Sequence, residues 1–540
     1  MHILLFLLFF PYSSPTTPPP SLTYSCRTGR ITECKKAKFV PGHILLGKGI
    51  DIVTMKKTTI PLLELQTYKK KCTLCRNPHM NDEWRKLPKA IDNWEPMSKC
   101  TRDIISRIST SHIQVADESS SSVTNDWMVT LQMQKDFKEG STALAGSQSE
   151  EAEFARKKSQ NDNYNFLSHK LQCVFYSFHL SENASLTTSF TKALKQLPVT
   201  YNQANKAEYI NLISKYGTHY ITEAKVGGSA RETTAVKTCQ ISLDGLSVEG
   251  ANECLGMEAE INVKGSTSVN ATMKTHECNN FLRKNSYGAS FHQKFSERFW
   301  EVNGGNVTFD LLSPATNKNG GNAFNAWMTS LKKLPDLVSY SLTPIHQLVR
   351  FNGQLKQSLK KALTGYINEK KVTKSCKCSA HSQPRDSHHC TCFCNSNNYL
   401  NSDCCPTHKG LANVKVKIEK GTGLYGDYWS KTDAYVKFQF DQIKEQTSTV
   451  QDDNNPVWNV PFKMGMIRLS SVLKYKIEVW DEDIFDADDL LGKCERPMRS
   501  GTTRETCNLQ HGKITYTISA TCNDHLKGPF CENYYPIPSQ

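Results

Sequence analysis

The sequence predicts an α+β protein of several domains, in which a large mixed unit (residues 26–375) precedes a small cysteine-rich module (376–410) and an all-β sandwich (411–520). The chain has 540 residues, enough for about three to four domains of ~100–200 residues each. Seven cysteines fall between positions 376 and 405, so disulfides rather than an apolar core must hold that module together. Strand-like runs separated by turns, as at 414–418, predict the sandwich.

Three helices and one strand are predicted within the first unit. Residues 205–216 have helical spacing, and Gly217 is placed to end that helix. Residues 220–226 then begin a strand. Residues 149–158 also favour a helix, and residues 332–367 predict a helical segment that two prolines interrupt.

The cysteines predict a disulfide framework and therefore an oxidising compartment, since the chain has 20 of them, an even number. The odd count of seven in the small module implies that one of its cysteines pairs outside it. In the tail (521–540), the nine-residue spacing of Cys522 and Cys531 suits a local bridge. Cys72 and Cys75 are interpreted as structural disulfide partners rather than as a redox or zinc pair. The cysteines assigned to disulfides are Cys26, Cys34, Cys72, Cys75, Cys100, Cys173, Cys239, Cys376, Cys392, Cys394, Cys405, Cys494, Cys507, Cys522 and Cys531.

The N-terminus predicts secretion. Residues 3–10 form an apolar run with the length of a signal-peptide core, so residues 1–25 are expected to be a signal peptide with cleavage before Cys26. Asn183, Asn270 and Asn306 each begin an Asn-x-Ser/Thr sequon, which fits a glycosylated, secreted chain.

Charge and motifs narrow the function classes. The net charge of +14 favours anionic partners such as phospholipid surfaces. No helix-turn-helix, zinc-finger or RNA-recognition pattern supports nucleic acid as a partner. No nucleophile elbow, zinc-protease motif or phosphate loop is present, so we expect that the protein is not an enzyme.

Aspartates cluster in two turns of the predicted sandwich. Asp427 and Asp433 lie six residues apart, and a second group follows about fifty residues later, made up of Asp481, Asp483, Asp488 and Asp489. Carboxylates gathered at roughly 4 Å repel by about 4 kcal/mol per pair at an effective dielectric of 20, so they need a cation. Calcium takes six to eight oxygen ligands in flexible geometry. The sequence therefore predicts a Ca²⁺ site, with an acidic loop that binds no ion as the alternative.

Apolar and aromatic side chains flank these aspartates: Tyr428, Trp429, Ile484 and Phe485. Aromatic side chains favour the boundary between headgroups and acyl chains. We expect these four residues to contact a phospholipid membrane once calcium has neutralised the loops. Because acid protonates aspartates, the same site predicts loss of calcium at low pH.

Residues 255–273 alternate strictly between apolar and polar positions. Apolar residues occupy every second position, at Leu255, Met257, Ala259, Ile261 and Val263, and the pattern continues to residue 273. A membrane-spanning strand needs only ~9–11 residues with one lipid-facing side. The segment 239–282 is long enough for two such strands. The alternative is an amphipathic strand that lies on a soluble core.

Short motifs in the first unit resemble the signature of the membrane-attack-complex/perforin superfamily. They are Tyr216, Gly217, Thr218, His219, Tyr220 and Ile221, with Gly227 and Gly228 close behind. The cysteine-rich module resembles an epidermal-growth-factor-like (EGF-like) module, and the aspartate-rich sandwich resembles a C2 domain. This resemblance implies a bent antiparallel sheet with flanking helical clusters, like that of the cholesterol-dependent cytolysins. It also implies glycines that allow the sheet to rearrange, and we interpret His219 as a buried structural residue.

The resemblance implies a function as well. Members of this superfamily are expected to convert two helical clusters into β-hairpins that insert into a membrane, here near 138–171 and within 239–282. Several copies then form a ring around a large transmembrane β-barrel. For this chain it implies a secreted, calcium-dependent pore former that is stored in acidic granules, acts on target-cell plasma membranes and delivers effector proteases. The alternative is a calcium-dependent membrane-binding adaptor or adhesion protein that does not lyse membranes.

Overall fold

A computed structural model describes residues 24–100, 102–133, 141–264, 269–285, 290–307, 309–313, 320–374, 382–386, 391–426, 428, 430–483 and 487–538. The predicted signal peptide therefore lies almost wholly outside the described residues. In chain order the first elements are β1 (Cys26–Thr28), α1 (Ile31–Lys36), β2 (Lys48–Asp51), β3 (Lys56–Pro61), β4 (Thr73–Asn77), β5 (Glu83–Lys86), β6 (Ile91–Cys100), β7 (Ile105–Ser109), α2 (His112–Ser119), β8 (Ser141–Ala143), α3 (Glu150–Ser159), β9 (Tyr164–Leu180), α4 (Thr188–Gln196), α5 (Lys206–Tyr216) and β10 (His219–Lys237).

Helices then lead into the end of the first unit and the small module. The elements are α6 (Thr238–Leu243), α7 (Val248–Lys264), α8 (Val269–Lys284), α9 (Phe291–Lys294), β11 (Arg298–Asn303), α10 (Gly320–Leu331), β12 (Asp336–Pro344), α11 (Gly353–Lys370), β13 (Val372–Lys374), β14 (Ser382–Asp386) and β15 (Thr391–Cys394). The helix predicted over 205–216 is confirmed as α5, and the one over 149–158 as α3.

The central sheet is built on two long antiparallel strands, β9 and β10, which pair from Tyr164 with Lys237 to His179 with Glu223. Among the described residues its order is β3-β2-β10-β9-β6, with β7 also on β9 and with β11 and β12 also on β10. The helices α2 and α3, here called the first helical cluster, connect β7 to β9. The helices α6 to α9, the second helical cluster, connect β10 to β11. Each cluster therefore bridges neighbouring strands at the same end of the sheet.

The prediction of a helical segment over 332–367 is wrong for its first part. Asp336–Pro344 is the strand β12, paired with β10, and the helix α11 begins only at Gly353. Burial along β12 follows a period close to two, with Leu337, Tyr340 and Leu342 facing the core. Pairing with β10 thus decides the conformation of this segment.

The C-terminal sandwich packs two four-stranded sheets face to face, in the orders β19-β16-β23-β22 and β18-β17-β20-β21. Its strands are β16 (Leu411–Thr422), β17 (Ala434–Phe440), β18 (Ile443–Gln446), β19 (Val457–Arg468), β20 (Lys474–Asp481), β21 (Asp489–Pro497), β22 (Gly501–Asn508) and β23 (Lys513–Cys522). A separate apolar core lies between the sheets, as the alternation predicted. The tail adds the short pair β24 (Leu526–Lys527) and β25 (Asn533–Tyr534).

Disulfides link segments within these parts and, in one case, between two of them. Among the described residues they are Cys26–Cys75, Cys34–Cys72, Cys100–Cys173, Cys239–Cys405, Cys254–Cys278, Cys394–Cys404, Cys494–Cys507 and Cys522–Cys531. The local bridge of the tail is confirmed. So is the expectation that one cysteine of the small module pairs outside it, because Cys405 bonds Cys239 at the start of α6. Cys392 is also disulfide-bonded, whereas Cys376 lies outside the described residues. Sequence analysis did not anticipate Cys254–Cys278, which joins α7 to α8.

Candidate membrane-binding and membrane-inserting sites

The signature residues join α5 to β10 at the top of the central sheet. Gly217 ends the helix with φ of 77°, and a Cβ there would lie 2.8 Å from the carbonyl of Ile50. The Thr218 hydroxyl accepts the N–H of Ile52 at 2.9 Å and donates to the Ile50 carbonyl at 3.1 Å. These bonds tie β10 to β2, so the motif fixes the start of the long strand.

His219 is fully buried, as the sequence predicted. Its ring meets Trp127 edge-on at 5.2 Å, and its Nδ1 lies 2.8 Å from the hydroxyl of Thr218. Burial, assisted by nearby His346, lowers the pKa of His219 to about 3, so the ring is neutral at physiological pH. Within the same motif, Tyr216 packs on Phe190, and Tyr220 pairs with Gly49 of β2. This arrangement supports a structural role.

The glycine pair lies where β10 presses against its neighbours. A Cβ on Gly227 would lie 2.0 Å from the Cys173 carbonyl, and one on Gly228 would lie 2.5 Å from Leu331. The register between β9 and β10 also shifts at this point. The backbones of β9 and β10 therefore approach closely at Gly227, whereas a hinge function at these glycines stays a prediction.

The described parts of the segment predicted to alternate as a strand, 255–264 and 269–273, are helical in this structure. Leu255, Met257, Ala259 and Val263 are buried on α7, and Ile261 is half-buried. The alternative of an amphipathic strand on a soluble core is therefore wrong for this conformation. No described helix combines the length and the hydropathy needed to cross a bilayer.

The segment predicted for the first hairpin, 138–171, contains both a helix and part of a strand in this structure. Of the segment 138–171, residues 138–140 lie outside the described part of the chain. Residues 150–159 form α3, which the Ser149 hydroxyl caps by accepting the N–H of Ala152 at 3.1 Å. Residues 164–171 already belong to β9 and carry the central sheet.

Strand ends bring the predicted calcium ligands together at one end of the sandwich. Asp433 precedes β17, Asp481 ends β20, and Asp489 begins β21 directly opposite Asp481. The N–H of Asp433 donates to the Asp481 carboxylate at 2.6 Å, and the N–H of Asp483 donates to the Asp488 carboxylate at 3.3 Å. These five residues therefore lie at the same end of the sandwich.

The donor set fits calcium in kind, because it consists of carboxylate oxygens on loops. The Tyr435 hydroxyl donates to Asp488 at 2.6 Å, which lowers the pKa of Asp488 and keeps it ionised. Within the described ranges, no three acidic, histidine or cysteine side chains already stand close enough to hold an ion. Asp427, the sixth predicted ligand, lies outside those ranges.

One predicted membrane-contacting side chain can be placed. Tyr428 is 91% exposed at the aspartate end of the sandwich, the largest exposure among the described large hydrophobic residues. Trp429, Ile484 and Phe485 lie outside the described residues. Of the sequons, Asn183 and Asn306 are exposed, and the side chain of Asn270 is not among those described.

Buried charges under both helical clusters escaped the sequence analysis. Arg231 and Glu232 are adjacent on β10 and nearly inaccessible to solvent, and each has a charged partner on a helix of a different cluster. Two consecutive opposite charges within a long strand were the available signal. The partners could not be identified from sequence because Glu151 and His292 are distant along the chain.

Comparison with known proteins agrees with this architecture. A MAC/Perforin domain model matches residues 40–376, and a C2 domain model matches residues 412–513. The chain is 35% identical to perforin-1 of Homo sapiens over 523 residues, which cover 95% of this chain and 93% of that protein. It is 36% identical to perforin-1 of Rattus norvegicus, covering 96% and 95%. The complement component C8 alpha chain of Oryctolagus cuniculus is 25% identical and covers 47% of this chain and 44% of its own length. The chain therefore belongs to the MAC/perforin family and carries a C-terminal C2 domain.

Proposed function

We propose that this protein is a secreted, calcium-dependent pore former. The observation that carries the proposal is the pair of helical clusters that continue the central strands at one end of the sheet, in a chain that belongs to the MAC/perforin family. The C2 domain docks the chain on phospholipid, copies of the chain assemble, and each copy inserts two hairpins into a shared β-barrel. The protein performs no catalysis in this scheme.

The second hairpin is supported by the position of the Cys254–Cys278 disulfide. Ala259 lies five residues after Cys254, and Met273 lies five residues before Cys278, so an antiparallel hairpin with the bridge intact pairs positions 259 and 273. The same register pairs 261 with 271 and 263 with 269, all of which are apolar in the sequence. Opposite positions of an antiparallel pair share a face. The disulfide is therefore compatible with a hairpin whose one face is apolar from the 259–273 pair to the 263–269 pair.

Calcium binding is supported by five carboxylates that converge where three strands end, next to exposed Tyr428. Ions bound there neutralise the loops and allow phosphate headgroups to complete the coordination. We further propose storage in acidic granules, where protonated aspartates release calcium, and action at the target-cell plasma membrane with effector proteases as passengers.

The decisive test is release of large dextrans from phosphatidylcholine liposomes at neutral pH, with and without calcium. We expect release only with calcium, and loss of both binding and release in Asp483→Asn. The matched control is Asp441→Asn, an exposed aspartate at the opposite end of β17. Calcium-dependent binding without release in the unmodified chain would instead support the adaptor or adhesion function. Undiminished binding at pH 5 would contradict acid silencing.

The insertion step has its own test. Ile261→Lys places a charge on the apolar side of the proposed hairpin, where a lipid-facing lysine costs about 2–4 kcal/mol at the bilayer midplane. We expect normal liposome binding and at least tenfold less dextran release. Glu260→Ser alters the neighbouring position of the opposite parity and should leave release intact. Equal loss in both variants would argue against the assigned parity.

A further inference from the structure

Two adjacent residues of the central strand β10 hold the two helical clusters on opposite faces of the sheet. Side chains of consecutive strand residues point to opposite faces. Ala235, which shares the parity of Arg231, packs in an apolar cluster with α2 and α3. Val236, which shares the parity of Glu232, packs in a cluster with helices α6 to α9. The first cluster therefore covers one face of β10, and the second cluster covers the other.

On the first face, α3 is attached through Glu151. Its carboxylate lies 2.7 Å from the Arg231 guanidinium and accepts the Thr233 hydroxyl at 2.5 Å. The side chains of Arg231 and Glu151 are only 8% and 4% exposed. Water cannot replace either partner without opening the contact, so α3 leaves the sheet only when this buried ion pair breaks.

On the second face, α7 and α9 are attached through His292. Its Nε2 lies 3.3 Å from Glu232, and its Nδ1 lies 2.6 Å from Glu258 of α7. Glu258 also accepts the N–H groups of Phe291 at 2.7 Å and His292 at 3.1 Å. Burial alone would lower the pKa of His292, but the two carboxylates raise it to about 9, so the ring carries its charge at neutral pH.

We propose that Arg231 and Glu232 form a two-sided ionic latch that restrains both helical clusters until the protein assembles on a membrane. This inference rests on the proposed conversion of the clusters into hairpins. Extending β9 and β10 into membrane strands requires α3, α7 and α9 to leave the faces of β10. The departure of each cluster separates one buried ion pair, Arg231–Glu151 or Glu232–His292. The latch therefore sets part of the energy barrier between docking and insertion.

The test is the lag between calcium-triggered binding to phosphatidylcholine liposomes and dextran release. Removing both charges of one pair, with Arg231→Met and Glu151→Gln together, leaves no unpaired buried charge behind. We expect this double variant to bind normally and to shorten the lag about tenfold. The control is Lys206→Met with Glu369→Gln, an exposed pair between α5 and α11 that the conversion does not need to break.

Two further variants separate a latch from general destabilisation. Arg231→Glu with Glu151→Arg reverses the pair and should return the lag towards that of the unmodified chain. Thr233→Val removes only the hydroxyl bond to Glu151, so it tests the same contact if the double variant fails to fold, and it should shorten the lag about threefold. An unchanged lag in a folded, binding-competent variant would overturn the latch. Absence of release from the unmodified chain would overturn the proposed function instead.

Discussion

The two helical clusters are attached to the same sheet by different chemistry. The first depends on a guanidinium, Arg231, which stays charged at any accessible pH. The second depends on the imidazole of His292, which can lose its charge, and on the Cys254–Cys278 disulfide between α7 and α8. The C-terminal tail contacts the base of the first cluster, at Asp162. One sheet therefore holds two helical clusters through different restraints, an Arg231 ion pair on one face and a His292 ion pair with a disulfide on the other.

The largest effect is expected when only one residue of the Arg231–Glu151 ion pair is replaced. Arg231→Met leaves the Glu151 carboxylate buried without its cation, which should cost about 3–5 kcal/mol of unfolding free energy. Denaturant titration measures the loss. Arg504→Met, which removes an exposed pair with Glu419 in the sandwich, should leave the same transition unchanged. Equal losses in the two variants would show that burial does not set the cost.

Removing the disulfide of the second cluster should cost slightly less. Its 24-residue separation corresponds to about 3 kcal/mol in the chain-entropy model. We expect the double variant Cys254→Ser with Cys278→Ser to lose that stability in denaturant titrations. It should keep dextran release, because the bridge links α7 to α8 and does not hold the strands of the sheet together. The control is Cys522→Ser with Cys531→Ser, which removes the bridge of nine-residue separation in the tail. Abolished release with normal binding would mean that the bridge is needed in the hairpin.

Alkaline pH should loosen the second cluster and leave the first in place. The folded pKa of His292, about 9, exceeds its unfolded value of about 6.5, so its contribution is complete below the lower value and is lost as pH rises through the higher one. The shift corresponds to about 3 kcal/mol. The charged and titratable groups that face this ring are Glu232, Glu258, Arg298, Asp310 and His169.

Unfolding free energies between pH 6 and pH 10 measure this effect. The unmodified chain should lose stability as pH rises towards 10, and His292→Gln should remove the part of that loss that falls between about pH 6.5 and about pH 9. Arg231→Met should lower stability at every pH and leave the fall that depends on His292 in place. A slope that is identical with and without His292 would assign the pH dependence to other groups.

Sequence analysis succeeded where the signal was local. The helix α5, the end at Gly217 and the start of β10 follow one another along the chain, so caps and periodicity predicted them. It failed at β12, where pairing with β10 decides the conformation. Strand ends gathered five of the six predicted aspartates because loops at one end of a sandwich meet. The partners of Arg231 and Glu232 depend on how distant helices pack, which no spacing reveals.

The smallest effect is expected where the tail meets the first cluster. The Tyr534 hydroxyl donates to buried Asp162 at 2.6 Å, and the N–H of Ile537 donates to the same carboxylate at 3.1 Å. Tyr534→Phe removes one of these bonds to a buried charge and should cost about 2 kcal/mol. Tyr535→Phe, at the exposed neighbour, should cost nothing measurable. Because Asp162 lies in the turn between α3 and β9, faster hydrogen exchange in α3 but not in α7 would locate the tail as a restraint on the first cluster alone. Equal acceleration in both helices would show that the clusters are coupled through the sheet.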